Sequence, residues 1–507
     1  MPPSGRTLIW RNWHETVSQP VRRFEVLSNP DESRSTVSGY NTTTRRVQEL
    51  ILEAAEQDTS LRALGGAWSF TPVAATDGIM LATQRLNYRF ALDPSHLRQA
   101  YTPETMPVFV QCGISIADLN RYLAGRGQAL PTSGASNGQT IVGALSTGTH
   151  GAAIDVGAIP EYVVAIHLAA SPDGRTVWLE RASRPVVQDD IIARFDAEPV
   201  RDDELFDAAL VSFGCFGIVL GVVIEPVAPY YLQAWRQPIV LDDALWAAIE
   251  KMDFSDTDLP GQRGASGGGP VRRPHHLELL VNVLDGGRTM MTAMYREPTR
   301  PPGATRPKLD SGFGKGDSAL DAIGVITDGW DGLAPLAAKL FTKAYRPYAN
   351  IAGTPGEMFK DTSTRGRSAS SAMGVPLRHA RNALDLAAGA VARREAPAFV
   401  SMRFVKATRA TLGFTCHEPV TAILEVDGAY SNRTLAAQRD VWQALAAEGI
   451  PHTYHWGKMH DLGAAGVRRC YGEDRVDRWI AARQELVPAR CRRVFANALS
   501  DRLDLSR

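Results

Sequence analysis

PTSGASNGQTIVGALSTGTHG, residues 131–151, is the stretch on which the reading of this chain turns. It holds five glycines (134, 138, 143, 148 and 151), and much of the remainder is Ser, Thr, Ala or Asn. A run so poor in bulky side chains reads as a loop rather than a packed helix or strand. Glycine admits positive φ and lets backbone approach a ligand closely, and hydroxyls with exposed N–H groups can form a concave nest for an anion. The apolar residues set into the run, Ile141, Val142, Ala144 and Leu145, argue that it is buried. Upstream lies a shorter companion, RALGGAWSF at 62–70, again with two glycines and a serine between apolar residues. The pair reads as two walls of one cofactor pocket.

With HWGKMH at 455–460 and, more weakly, HLE at 276–278, these loops resemble the flavin-cradling loops of the vanillyl-alcohol-oxidase-type FAD-linked oxidases. Within that family the chain is most similar to the D-arabinono-1,4-lactone oxidase and alditol oxidase branch. The resemblance implies an α+β fold: a two-subdomain PCMH-type FAD-binding domain with an inserted α+β substrate (cap) domain. The implied divisions are 15–228 for the FAD-binding domain, 229–448 for the substrate domain, and 449–507 for a C-terminal segment returning to the FAD domain. A change of composition at Pro226–Pro229 marks the first boundary.

The resemblance also implies the cofactor contacts. In the first loop these are Leu64, Gly65, Gly66, Ala67, Trp68 and Ser69. In the second they begin with Thr132, Gly134, Ala135, Ser136 and Thr140. They continue through Gly143, Ala144, Thr147, Gly148, Thr149 and His150. Gly217, Ile218 and Val219 close the pocket around the adenine half of FAD, and Lys458 reaches the flavin.

Composition narrows the alternatives. A chain of 507 residues has room for two or more domains and a large core. Lys plus Arg and Asp plus Glu are 55 each, so no basic field exists for nucleic acid or anionic lipid. Five cysteines (112, 215, 416, 470 and 491) form no CxxC pair, which argues against a zinc site or a disulfide framework and fits a reducing compartment. The opening MPPSGRTLIWRNW has no apolar signal core, and Phe213–Val223 is the nearest approach to a membrane span, cut by three glycines. The expectation is a soluble cytoplasmic protein with a small-molecule substrate and O2 as partners, no membrane or nucleic acid, and an oligomeric state left open.

Periodicity supplies the elements. Helical spacing at Val47, Leu50, Ile51, Ala54 and Ala55 predicts a helix over 44–57, with Thr42 and Thr43 as caps. Short strands are expected at 61–64, 78–81, 108–112, 163–169 and 176–179, and a helix at 116–126 ending before Gly127. Beyond Pro229, helices are expected at 242–252, 380–394, 435–448 and 474–484, with strands at 277–283, 289–295, 399–405 and 421–426. Two Gly/Pro/Arg-rich stretches, 256–274 and 298–317, read as lids or disordered loops.

The chemistry is read from a few residues. Lys458, in the HWGK match, is the expected catalytic cation beside the flavin, and His455 and His460 flank it as base and substrate-binding candidates. Arg403 stands where the family has the arginine of a Glu-x-Arg pair on one strand face, but Ser401 replaces the glutamate, which weakens a sugar-lactone assignment. Glu425 on the next strand is either a replacement catalytic carboxylate or a structural partner of Arg403. Ser401, Arg403, Glu425 and His460 are the expected substrate contacts. Trp68 replaces the histidine that many relatives bond to the flavin, and an indole nitrogen is not nucleophilic, so FAD is expected to be noncovalent. Gly134 is either an oxygen gate or a plain turn residue. His275-His276 lacks an acidic or cysteine partner at ligand spacing, so no metal is expected. The expected activity is an FAD-dependent oxidase that removes hydride from a C–H next to O, in an alcohol, polyol or lactone-like substrate, and reduces O2 to hydrogen peroxide. A dehydrogenase with another acceptor, an oxidative cyclase or desaturase, and a flavin-binding protein without turnover are the alternatives.

Overall fold

The helix Thr36–Glu56 buries Tyr40, Val47, Leu50, Ile51 and Ala54 on one face, the face its 3.6-residue period dictates. It starts well before the expected Thr44, because the polar threonines are absorbed within it rather than capping it. Thr42 and Thr43 donate their hydroxyls to the carbonyls of Ser38 and Gly39, four residues back, at 3.0 and 3.2 Å. The computed structural model describes residues 8–30, 36–134, 136–174, 176–307, 346–359 and 367–507. Ala135, and the part of the expected 298–317 loop beyond 307, lie outside the described residues.

Three sheets position the site. A parallel sheet sets Ile79–Arg85 between Arg23–Ser28 and Leu61–Leu64, the last strand running directly into the first glycine-rich loop. A six-stranded sheet has the order Ala197–Arg201, Thr176–Glu180, Val163–Ala169, Ile218–Ile224, Val108–Gln111 and Arg89–Ala91. Its central strands are buried along their whole length, as their unbroken Val/Ile/Leu runs require. Ile218–Ile224 begins at Gly217, where φ of +119° and a virtual Cβ 2.4 Å from the Ala169 carbonyl leave room only for glycine.

The third sheet is antiparallel with eight strands: Tyr348–Gly353, Tyr231–Pro238, Arg288–Glu297, His276–Asn282, Ala398–Lys406, Val420–Ala429, Ser368–Pro376 and Thr453–Tyr454. Two helices, Ala380–Arg394 and Asn432–Ala447, pack together and against its centre. Strand alternation then sorts the side chains. Trp442 of the second helix donates to Ser371, and Gln438 to the Val426 carbonyl, while Ser370, Arg403, Glu425 and Asp427 line a cavity on the other side. The chain finally returns to the first two sheets: Trp479 donates to the Val211 carbonyl, buried Arg483 to Cys215, and Leu61 donates its amide to Val494.

Two expectations change. The 131–151 run contains a helix, Ile141–Thr147, capped by the Thr140 hydroxyl and ended by Gly148 at φ +75°. Small residues suit this helix because its neighbours sit close, and Ile141, Ala144, Leu145 and Thr147 supply its buried face. The 256–274 stretch is a packed loop rather than a loose one. Gln262, 1% exposed, donates to the Phe254 carbonyl, and Arg272 bonds to Gln233, Glu297 and the Gly261 carbonyl.

Candidate active site

A cavity of about 520 Å³ lies where the two glycine-rich loops, the N-terminal hairpin, the eight-stranded sheet and the 455–458 turn converge. The loops touch backbone to backbone. A Cβ on Gly65 would lie 2.2 Å from the Thr140 hydroxyl, and one on Gly66 would lie 2.8 Å from the Gly138 carbonyl. Any side chain there would drive the walls apart or fill the cradle. The 455–459 turn is bonded to the first loop, with Phe70 donating to the Gly457 carbonyl at 2.7 Å and Thr71 to that of Trp456 at 2.7 Å. Trp456 anchors the turn in the core, its indole N–H donating to Leu412 and its ring packing 4.4 Å from Phe213.

The N-terminal hairpin, strands Leu8–Arg11 and Ser18–Val21, closes this end. Trp13 donates its amide to the Ala67 carbonyl, and Asn12 its side chain to that of Ser69. The Trp13 ring lies parallel to Trp68 at 5.3 Å, and His14 stacks on Phe70 at 4.1 Å. The aromatic density of WRNWH was the available signal, but it carries no period that separates a wall from a surface patch. Arg62 also lines the cavity. It spends its N–H groups on the carbonyls of Val73, Phe213, Gly214 and Phe495, and among the described residues no carboxylate pairs with it.

An ionic cluster forms the inner end. Glu425, fully buried, accepts from Lys458, from Arg403 at 3.1 Å and from Ser401 at 3.2 Å, and His150 lies 3.9 Å away. Arg403 also grips Glu278 on the adjacent strand, at 2.9 and 2.8 Å. Glu278 faces Arg403 in the strand register, and Arg236 approaches its other oxygen at 3.8 Å. Asp427 accepts from Ser370 and lies 3.8 Å from Lys458. Burial alone would raise the Glu425 pKa, but Arg403 and then Lys458 more than offset it and hold the group well below the usual carboxylate range. Asp427 moves the other way: burial raises it, Lys458 opposes, and the Glu425 charge adds to the rise. Burial also lowers the histidines, His150 and His14 to about 4 and His460 to about 3, with His455 well below its ordinary value.

Of the residues expected at the site, the whole first-loop set, most of the second, Gly217, Val219, Arg403, Glu425, His455 and Lys458 line this cavity. Thr132, Ala144, Gly148 and Ile218 lie behind the walls, and Ser401 lies beneath Glu425. His460 is turned into the core, with its ring 6.0 Å from Trp456 and its Nδ1 accepting from the Leu462 amide. Sequence reading missed Trp10, His14, Phe70, Ser370 and Asp427 of the lining.

Residues 40–180 match the family model described as an FAD binding domain, which supports FAD as the cofactor. Along nearly its whole length the chain is similar to L-gulono-1,4-lactone dehydrogenase of Mycobacterium tuberculosis, 25% identical over 507 residues that cover 98% of this chain and 99% of that one. It is 28% identical to L-gulonolactone oxidase of Bos taurus over 204 residues, 40% of each chain, so the match spans well under half of that relative's length. Among solved structures, cholesterol oxidase from B. sterolicum superposes with a TM-score of 0.71 at 15% identity, covering 99% of both chains. The PCMH-type fold and the lactone-oxidase resemblance read from the two loops are thereby borne out. Among the described residues no helix is long and apolar enough to cross a membrane.

Proposed function

We propose that this chain is an FAD-dependent oxidoreductase that oxidises a C–H next to oxygen in an alcohol, polyol or lactone-like substrate, with O2 as the acceptor and hydrogen peroxide as its product. The observation that carries the reading is Lys458, held by Glu425 at the inner end of a cavity walled by two abutting glycine-rich loops. The residues fit the cofactor: glycines keep the cradle open where a Cβ would fill it, and the carboxylate-free charge of Arg62 suits an anionic guest. When bound, FAD supplies the two-electron oxidant.

The chain's own residues do the rest. The 65–69 and 134–150 segments would hold the cofactor, and Trp68, with no nucleophilic nitrogen, leaves it noncovalent. Lys458 places a fixed cation at the reacting end, and such preorganised charge needs no reorganisation during the reaction. Glu425, accepting from Arg403, Lys458 and Ser401, fixes the two cations in place. Trp13, Trp68, His14 and Phe70 form an aromatic wall that excludes water from the cavity. Five free thiols favour a reducing, cytoplasmic setting.

The test is direct. The purified protein should be yellow, and acid precipitation should release all FAD to the supernatant; flavin fluorescence retained by the denatured polypeptide would refute noncovalent binding. Anaerobic L-gulono-1,4-lactone, D-arabinono-1,4-lactone or xylitol should bleach the flavin band, and air should restore it with formation of peroxide. No bleaching by any of them would overturn the substrate class, and slow recovery in air would reassign the acceptor.

A further inference from the structure

Glu425 and Asp427 stand two residues apart on one strand and share Lys458, yet their surroundings differ in every respect that matters for proton transfer. The Glu425 side chain is 0% exposed and its oxygens are taken by Lys458, Arg403 and Ser401. The Asp427 side chain is 22% exposed and lines the cavity. Its Oδ1 accepts from Ser370, and its Oδ2 has no hydrogen-bond partner among the described residues.

We propose that Asp427, rather than Glu425, is the catalytic carboxylate that accepts the hydroxyl proton of the substrate, with Ser370 as its positioning residue. The inference rests on the oxidoreductase reading above and adds to it the proton acceptor. As the substrate C–O bond becomes C=O, the carbon surrenders its hydride to the bound oxidant, FAD, and the hydroxyl proton passes to Asp427 Oδ2. Water takes that proton when product leaves, so atoms and charge balance over the cycle. The division of labour is physical. A carboxylate locked between two cations is a poor base, whereas one with a free oxygen and a raised affinity for protons is a competent one. The histidines of the wall are poor alternatives, since burial withholds protons from them until about pH 4 at His150 and His14. The charged groups facing Asp427 are Lys458 from the 455–458 turn, Glu425 on its own strand and Arg403 on the next. Lys458 keeps Asp427 ionisable, and Glu425 keeps it basic.

The experiment compares FAD-loaded wild type with Asp427→Asn, Asp427→Ala and Ser370→Ala, using whichever of the three compounds named above bleaches the wild type. Both Asp427 variants should bind FAD normally and be reduced about 10²-fold more slowly. The acid limb of the wild-type pH profile should vanish in Asp427→Asn, and added formate should restore part of the rate to Asp427→Ala. Ser370→Ala keeps the carboxylate but removes a donor that favours its ionised form, so its acid limb should move to higher pH. An unchanged rate or limb in Asp427→Asn, or an unmoved limb in Ser370→Ala, overturns the assignment while leaving the proposed function standing. Failure of every compound to bleach the wild type overturns the proposed function and this inference with it.

Discussion

Ser401 and Glu425 face each other across antiparallel strands, and the serine hydroxyl donates to the carboxylate at 3.2 Å. Where the resemblance led one to expect a glutamate on the arginine's own strand, this chain carries the acid one strand over, in register. Arg403 therefore keeps a carboxylate at 3.1 Å although its i−2 neighbour is a serine. The exchange conserves charge and moves the acid to the strand that also carries Asp427.

Removing that charge should be costly. Glu425→Gln leaves Arg403 and Lys458 without their shared counter-ion in a buried place, and breaking such a pair from one side typically costs about 3–5 kcal/mol. Urea unfolding should show a clear drop in midpoint; a midpoint within error of wild type would mean that the cluster does not hold the site together.

Lys458→Met keeps most of the stem and deletes the cation. The fold should survive, and reduction of bound flavin should slow on the order of 10²-fold. Stopped-flow absorbance reads the rate, and no slowing would place Lys458 away from the reaction.

Gly66→Ala should weaken FAD binding, because its Cβ would meet the Gly138 carbonyl at 2.8 Å and Trp68 Cδ1 at 2.9 Å. Gly268→Ala, with nothing within 4 Å, is the control and should bind as wild type. Quenching of flavin fluorescence on titration separates the two, and equal affinities would refute the abutting-loop cradle.

Gly134→Ala tests the oxygen path. Its Cβ would lie 3.2 Å from the Thr149 methyl, a tight but tolerable fit. With FAD saturating, reduction should be little changed while reoxidation by O2 falls; identical reoxidation would assign Gly134 to the turn alone.

Acid should destabilise the protein in two stages. His150 and His14 take up a proton near 6.5 when unfolded but only at about 4 when folded, so between those values the unfolded chain binds more protons and stability falls as pH falls. The depressed carboxyls of Glu278 and Glu425 extend the loss below the ordinary carboxylate pKa of 4.5. Unfolding midpoints measured from pH 7.5 to 4 should decline throughout, with His150→Asn showing a shallower slope above pH 4.5; an unaltered slope would mean His150 is not buried neutral.

Much of the fold was legible because its signals are local. The period of Val47, Leu50, Ile51 and Ala54, the β-branched run before Pro226, and the helix at 380–394 each record their own burial. The small-residue helix at 141–147 escaped because Gly, Ser and Thr erase the period, and only the Thr140 cap and Gly148 punctuate it. In the site, Lys458 and Arg403 stood in recognisable motifs. Asp427 and His14 did not, because what makes them noteworthy is a register and a stacking that join distant parts of the chain.

The wall built by the N-terminal hairpin has a consequence for the order of synthesis. His14 meets Ser368 across 354 positions, and Arg62 reaches the Phe495 carbonyl across 433. Nearly the whole polypeptide must therefore leave the ribosome before the chamber can close, and loop-closure entropy makes such distant joins slow. Cofactor loading is then a late event of biogenesis. A nascent chain arrested before the last helices should emerge colourless even in excess FAD, and only the released, full-length chain should turn yellow.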